Sequence, residues 1–412
     1  MAATTKAKTT KAATPTASKP VTGGGFEVHR DSLLSVMDFA CLAVEKKTTI
    51  PVLGSVLVMV EAGQCRIFGT DLDRFASGLA TIHSLEKERA MAFTVNAAKL
   101  RAIVRELPAR EVSLIYDDEA GSLRIHCEGS KFKLVTGKEE NFPAVSKLGD
   151  GALVGTYNAE LMKKVTGLRP FTSNEDHRLV YSALNLRVHP NGIVASATNG
   201  HSLARYAQPV TGNAVGKFLI PAQGLSLLSA LADSGKAIEL FNVDGNQIMA
   251  VSGNRWVTVR LKTGEFPNVD SILSDRALQV ATTVEAIREP AQRLSTVTDS
   301  AKSALLLHLS QKSVKISTLS TFGDHGGEEP LDIEQFQFRG PLNVVIELNS
   351  DLLLAALNGY TNGEKINIRF YMESPQSEND APEQYFLPIE IEIVEVDDFG
   401  GKSRHLIMPL KA

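Results

Sequence analysis

The sequence predicts an α+β protein in which one unit, two helices on antiparallel sheet, is repeated three times. Two observations carry that prediction. The first is self-similarity in the second half of each unit. From Phe93 the chain reads FTVNAAKLRAIVREL, VSLIYDD, LRIHCEG and KFKLVTGKEENFPAV; from Phe218 it reads FLIPAQGLSLLSAL, IELFNVDG, QIMAVSG and WVTVRLKTGEFPNV. Helix, strands and a closing Thr-Gly-(x)n-Phe-Pro in one order mark a repeat. A third block opens at Val345 with VIELNSDLLLAAL, continues INIRFYM and ends in IMPLKA. The second observation is that the front halves match as well: FEVHRDSLLSVM from Phe26 answers TYNAELMKKV from Thr156, and aligning Thr70 with Thr198 gives an offset of 128 residues. The third front half, VATTVEAIREPAQRL then SALLLHLS and SVKIST, agrees by pattern alone. The expected organisation is a tail over 1–25 and three domains over 26–150, 151–277 and 278–412.

The elements follow in order. Asp31 and Asn349 stand where helix N-caps belong, just before apolar-periodic runs. After Asn96, Leu100, Ile103, Val104 and Leu107 fall at i, i+3, i+4 and i+7, so one helical face turns inward and Lys99, Arg101 and Arg105 take the other. A further helix is expected over Ala222 to Asp233. LVMVEA, SLIYDD and INIRFYM are short, β-branched or alternating, and bounded by Gly, Asp and Asn, which makes them strands. Helices covering one face of antiparallel sheet define an α+β unit.

Composition narrows the function classes. The 412 residues carry 43% hydrophobic residues, enough for several separate cores, and no apolar run is long enough to span a bilayer. Three cysteines, Cys41, Cys65 and Cys127, without a CxxC pair point to buried thiols in a reducing cytoplasm. Residues 1–25 hold Lys6, Lys8, Lys11 and Lys19, no acid and almost nothing large and apolar, the composition of a disordered tail. Without those lysines the formal charge falls from −4 to −8. From Glu373 to Asp398 there are nine acidic residues and no Lys or Arg, which reads as a solvated outer edge that resists sheet aggregation. No HExxH motif, Walker loop or clustered metal-ligand spacing occurs.

ATNGHSLA at Ala197 to Ala204, the closures at Phe142-Pro143 and Phe266-Pro267, TTIPVLGSVLV at Thr48 to Val58 and IMPL at Ile407 to Leu410 together resemble the bacterial DNA polymerase III beta subunit, the sliding clamp, over Phe26 to Ala412. The resemblance implies three DNA-clamp domains per chain and a ring-shaped head-to-tail homodimer with pseudo-sixfold symmetry, helices lining the hole and sheets forming the outer wall. It implies a processivity factor with no catalysis, metal or cofactor of its own. The partners it implies are encircled double-stranded DNA, the DNA polymerase III alpha subunit, the clamp loader and repair proteins carrying clamp-binding peptides. Topological holding agrees with a sequence pI near 6.2, which would be awkward for a DNA binder relying on a basic surface.

The resemblance also implies sites. A peptide pocket would be walled by Arg178, Tyr181, Thr198, Gly200, His201, Leu203, Pro267, Ile272, Leu406, Met408, Pro409 and Leu410. DNA would face Lys47, with Lys46 beside it, and Lys99, Arg101, Arg105, Lys163 and Lys164. The dimer contact would join Phe132 and Leu134 to Val297. Ser202 and Ser271 stand where the family commonly has basic residues, and Ala222 and Gln223 open a helix without Lys or Arg. These departures raise the alternative of a specialised or inhibitor-tolerant second clamp. A rival reading takes Gly200-His201-Ser202-Leu203-Ala204 as the nucleophile elbow of a serine hydrolase. That elbow needs a helix after the serine, whereas ARYAQPV reads as strand.

Overall fold

A computed structural model describes residues 24–45, 47–86, 90–144, 151–175, 177–268, 277–298, 303–310, 313–318, 326–337, 343–371, 389–393 and 402–408. The tail up to residue 23, Lys46, Ser271, Ile272, Pro409, Leu410 and the acidic segment other than 389–393 lie outside the described residues. The described residues form two compact units. Those up to Gly69 together with Gly78–Pro143 make one, and Thr70–Ser77 with those from Ala144 onward make the other.

In the first unit, strand Gly24–His29 leads into helix α1 (Arg30–Ala40), and strand Met91–Asn96 leads into helix α2 (Ala97–Glu106). Strand Gly24–His29 pairs antiparallel with Ser84–Glu86 and Glu111–Asp117, and the ladder continues through Ser122–Cys127 to Ser130–Lys138. Strand Met91–Asn96 pairs with Ser55–Glu61, which pairs in turn with Gln64–Thr70. Leu33, Val36 and Met37 of α1 and Leu100 and Val104 of α2 share one core with the strands' inward residues. Phe93 and Tyr116 stack at 4.4 Å between the two ladders. Gly69 is required where its strand passes α1, because a Cβ there would lie 2.1 Å from the Ala40 carbonyl oxygen.

The second unit repeats the theme. Helices α3 (Ala159–Thr166) and α4 (Ala222–Ala232) pack together, as do α5 (Val284–Ser295) and α6 (Ser350–Leu357). Its largest sheet runs Gly216–Pro221, Ala183–His189, Gly192–Thr198, Ser202–Pro209, Lys402–Ile407, Ile389–Ile393, Lys365–Tyr371, Ala277–Thr283 and Gln335–Gln337, with every recorded pairing antiparallel. The joint between the second and third repeats is therefore a hydrogen-bonded ladder, Ser202↔Ile407 to Ala207↔Lys402. A four-stranded sheet of Glu328–Leu331, Val314–Thr318, Ala304–Ser310 and Asn343–Asn349 stands behind α5.

Two expectations are corrected. Asp31 is not the N-cap of α1; that place belongs to His29, whose Nδ1 accepts from Asp31 N at 3.3 Å, and Asp31 sits in the first turn. A ring nitrogen there does the work of the expected carboxylate. The acidic strand is not an outer edge throughout, for Ile389–Ile393 lies inside the nine-stranded sheet and Glu390 is completely buried. Its carboxylate is tolerated because Arg369, at 3.4 Å, and Arg404 neutralise it from the flanking strands. Cys65 and Cys127 are buried as expected, while Cys41 is half-buried. Burial pushes the Cys65 thiol up to about 12 and, as the main cause, the Cys41 thiol to about 11, so neither is a thiolate at neutral pH.

Candidate partner-binding cleft and cationic helix faces

The candidate cleft is built on the turn between strands Gly192–Thr198 and Ser202–Pro209. Asn199 N donates to Ser202 O at 3.3 Å, and Asn199 Oδ1 accepts from His201 N at 2.9 Å and Ser202 N at 2.8 Å. Thr198 Oγ1 donates to Ser202 O at 2.6 Å and accepts from Gly200 N at 3.1 Å. Gly200 takes φ +91°, a left-handed conformation open to glycine at little cost. The turn leaves Gly200 and His201 exposed and points Leu203 inward, 6% exposed.

Leu203 lies opposite Leu406 in the ladder, and the two form a buried apolar cluster with Ala183, Leu219 and Phe266, with Val180 packed beside them. Met408 follows at the rim, 37% exposed, its N–H donating to His201 O at 2.9 Å. Arg178 reaches the turn from the other wall, donating from Nη1 to Asn199 O at 3.2 Å while its Nε meets Glu175 Oε2 at 2.9 Å. Tyr181 is half-buried and Pro267 exposed beside Phe266. The structure thus gathers Arg178, Thr198, Gly200, His201, Leu203, Leu406 and Met408 by direct contact or register. The cluster beneath them also takes in Val180, Ala183, Leu219 and Phe266, which the sequence did not mark as site residues. Phe266 had been visible only as part of a repeat marker. An apolar cluster with a few polar groups at its edge has the chemistry that a peptide anchored by hydrophobic side chains would use. Each fully buried Leu or Phe anchor would contribute about 1.5–3 kcal/mol.

Behind the cleft, His405 is 4% exposed, with its ring 5.1 Å from Phe171 and 5.7 Å from Tyr360. Desolvation, with a smaller contribution from Lys164, lowers its pKa to about 3, so it is neutral at physiological pH.

The cationic candidates are largely engaged within the chain. Arg101 and Arg105 both bind Asp38 of α1, Arg105 at 3.1 Å. Lys163 lies 3.4 Å from Asp233; Lys164 donates to Gly359 O and sits 5.7 Å from the Tyr360 ring centroid. Lys47 and Lys99 are exposed. Phe132 and Val297 are 39% and 44% exposed, and Leu134 is half-buried.

The hydrolase reading fails on geometry. Ser202 is 4% exposed, its Oγ lies 3.0 Å from Asn199 Oδ1, and it opens a strand instead of a helix.

Paired helices over antiparallel sheets, repeated along one chain, with strand pairing between repeats beside a buried apolar cluster, define a protein of the DNA-clamp class. Residues 25–146 match the family model of the DNA polymerase III beta subunit N-terminal domain, and residues 158–268 match that of its central domain. The chain belongs to the DNA polymerase III beta subunit family of sliding clamps. The Beta sliding clamp of Pseudomonas putida is 26% identical over 308 residues, 74% of this chain and 83% of the relative. That of Pseudomonas aeruginosa is 25% identical over 358 residues, 85% and 94% of the two chains. Among solved structures, the sliding clamp of Pseudomonas aeruginosa bound to griselimycin superposes with TM-score 0.79 at 22% identity, over 95% of this chain and all of that one. The clamp of Bacillus subtilis gives TM-score 0.79 at 18% identity, over 94% and 99%.

Proposed function

We propose that this chain acts as a processivity clamp of three domains, 26–150, 151–277 and 278–412, that closes head to tail with a second copy around double-stranded DNA. It would tether the DNA polymerase III alpha subunit and take clamp-loader and repair proteins at the same cleft. The observation that carries the reading is the strand joint between repeats. Ser202–Pro209, the hairpin partner of Gly192–Thr198, pairs with Lys402–Ile407, the last strand of the next repeat. The equivalent hairpin strand of the third repeat, Glu328–Leu331, ends its sheet among the described residues. The last strand of the first repeat, Ser130–Lys138, pairs with Met91–Asn96 only through Thr136–Lys138. Joining these two edges between copies repeats the internal joint and closes a ring by heterologous contacts. Lys131 and Lys133 would meet Glu328 and Glu329, whose charge Lys315 and Arg293 already offset in part within the chain, with Phe132, Leu134 and Val297 supplying apolar area.

Lys47, Lys99, Arg101, Arg105, Lys163 and Lys164 would face DNA. Asp38 and Asp233 offset part of their charge. DNA contact of that kind is weak and sequence-independent, as sliding requires, and encirclement prevents escape. The cleft residues would bind the partner peptide.

The test is fluorescence anisotropy with a labelled Gln-Leu-Ser-Leu-Phe peptide. Binding near micromolar, about −8 kcal/mol, that Leu203→Ala and Met408→Ala each weaken supports the assignment. No binding by a folded chain overturns it.

A further inference from the structure

Alternate side chains of a strand point to opposite faces, so Lys402–Ile407 turns Leu406 toward the apolar cluster and turns Ser403 and His405 away from it. On that second face a cavity of about 580 Å³ lies between α3 and α6. Its deep end is formed by Ala159, Leu168, Ser403 and His405, all buried, and its mouth by Asn158, Glu160, Lys163 and Asn358, all exposed. Lys164 donates to Gly359 O and so reaches from α3 to the chain just past α6.

The two ends differ in chemistry. His405 is 4% exposed, and its Nδ1 is buried with no hydrogen-bond partner among the described residues. Phe171 and Tyr360 flank the ring at 5.1 and 5.7 Å, which fixes where that nitrogen stands. Desolvation, with Lys164 as a smaller cause, keeps the imidazole neutral, so it offers a hydrogen bond and no charge. At the mouth the charges balance. Lys163 and Lys164 stand against Glu160 and against Asp233, which lies 3.4 Å from Lys163.

We propose that this cavity is a nucleoside site, taking a planar base inward with its polar edge on His405 Nδ1 and holding the ribose hydroxyls among Asn158, Glu160 and Asn358. A small anion would meet ammonium groups already offset by carboxylates. A purely apolar ligand would leave the buried ring nitrogen unpaired, a state that costs stability. A flat body with a hydrogen-bonding edge and a hydroxylated tail answers both ends, and the volume falls within the range of small-molecule sites, about 300–1,000 Å³. The site lies on the other face of the strand from Leu203 and Leu406, so it does not depend on the partner-cleft reading.

Ligand-observed NMR titration of the full chain with adenosine, guanosine, cytidine and uridine tests the site. At least one is expected to bind with a Kd of about 1 mM or tighter, changing less than about twofold between about 50 and about 500 mM NaCl. His405→Phe keeps a ring between Phe171 and Tyr360 without the nitrogen, and weakens binding at least about fivefold. Ala355→Phe, on the half-buried wall, fills the cavity without altering His405 and removes binding. Excess Gln-Leu-Ser-Leu-Phe leaves the nucleoside bound. The site is overturned if no nucleoside binds the folded wild type, if either folded variant binds as wild type does, or if the peptide displaces the nucleoside. AMP binding more than about tenfold tighter than adenosine, with the gain lost at high salt, would overturn the neutral ligand in favour of an anion. Should His405→Phe fail to fold, Ala355→Phe decides.

Discussion

Burial of His405 against Phe171 and Tyr360 sets how the second unit responds to acid. An unfolded histidine titrates near 6.5, the folded one near 3, so between those values the unfolded chain binds a proton that the folded chain refuses. Stability therefore falls as pH drops through this window and is regained above it. The single group contributes about 1.4 kcal/mol per pH unit, about 2 kcal/mol of loss by pH 5. Urea unfolding of wild type and His405→Leu at pH 7 and pH 5 reads this directly. The variant is expected to lose less on acidification, and an identical loss in both would assign the effect elsewhere. At this scale the sequence was only partly readable. Leu203 and Met408 follow from motif position, but nothing in the string marks His405 as buried or Glu390 as enclosed by Arg369 and Arg404. Burial of a polar residue depends on strands that are distant in the chain.

Three of the six α-helices among the described residues begin with the same device. Asn96, Asn158 and Asn349 each accept from a backbone N–H three residues on, at 2.9, 2.7 and 2.9 Å. Thr283 and Pro221, before α5 and α4, make no side-chain cap. Asn96→Ala is expected to cost about 1 kcal/mol of stability, measured by denaturant midpoint, while Pro221→Ala removes no capping bond. The periodicity of α2 was legible because local spacing dictates it: Leu100, Val104 and Leu107 are buried and Lys99 and Arg105 exposed. The cap of α1 was not, because His29 is a rare cap and Asp31 a common one. The strands were legible as strands. Which strand neighbours which was not, since pairing partners such as Ser202–Pro209 and Lys402–Ile407 share no local signal.

At the scale of the molecule the repeat itself was the most readable feature, and the proposed ring follows from it. Leu134→Asp would place a carboxylate on the strand edge proposed to meet Glu328 and Glu329, and light scattering should then show monomers. Because Leu134 also touches the first unit's core, the exposed pair Lys131→Glu with Lys133→Glu serves as a second variant, expected to weaken dimers about tenfold or more without loss of fold. A dimeric mass for both variants would count against this seam.

Leu203 and Leu406, neighbours in one ladder, stand about 200 residues apart in the chain. Loop closure over that distance is slow, so the nine-stranded sheet is expected to assemble late, after its hairpins have formed. Until Lys402–Ile407 arrives, Ser202–Pro209 is a bare edge inside an unfinished sheet, open to pairing with any other nascent chain. The proposed partner cleft would thus also be the last place to mature, and a chain that binds peptide would have passed its own assembly check.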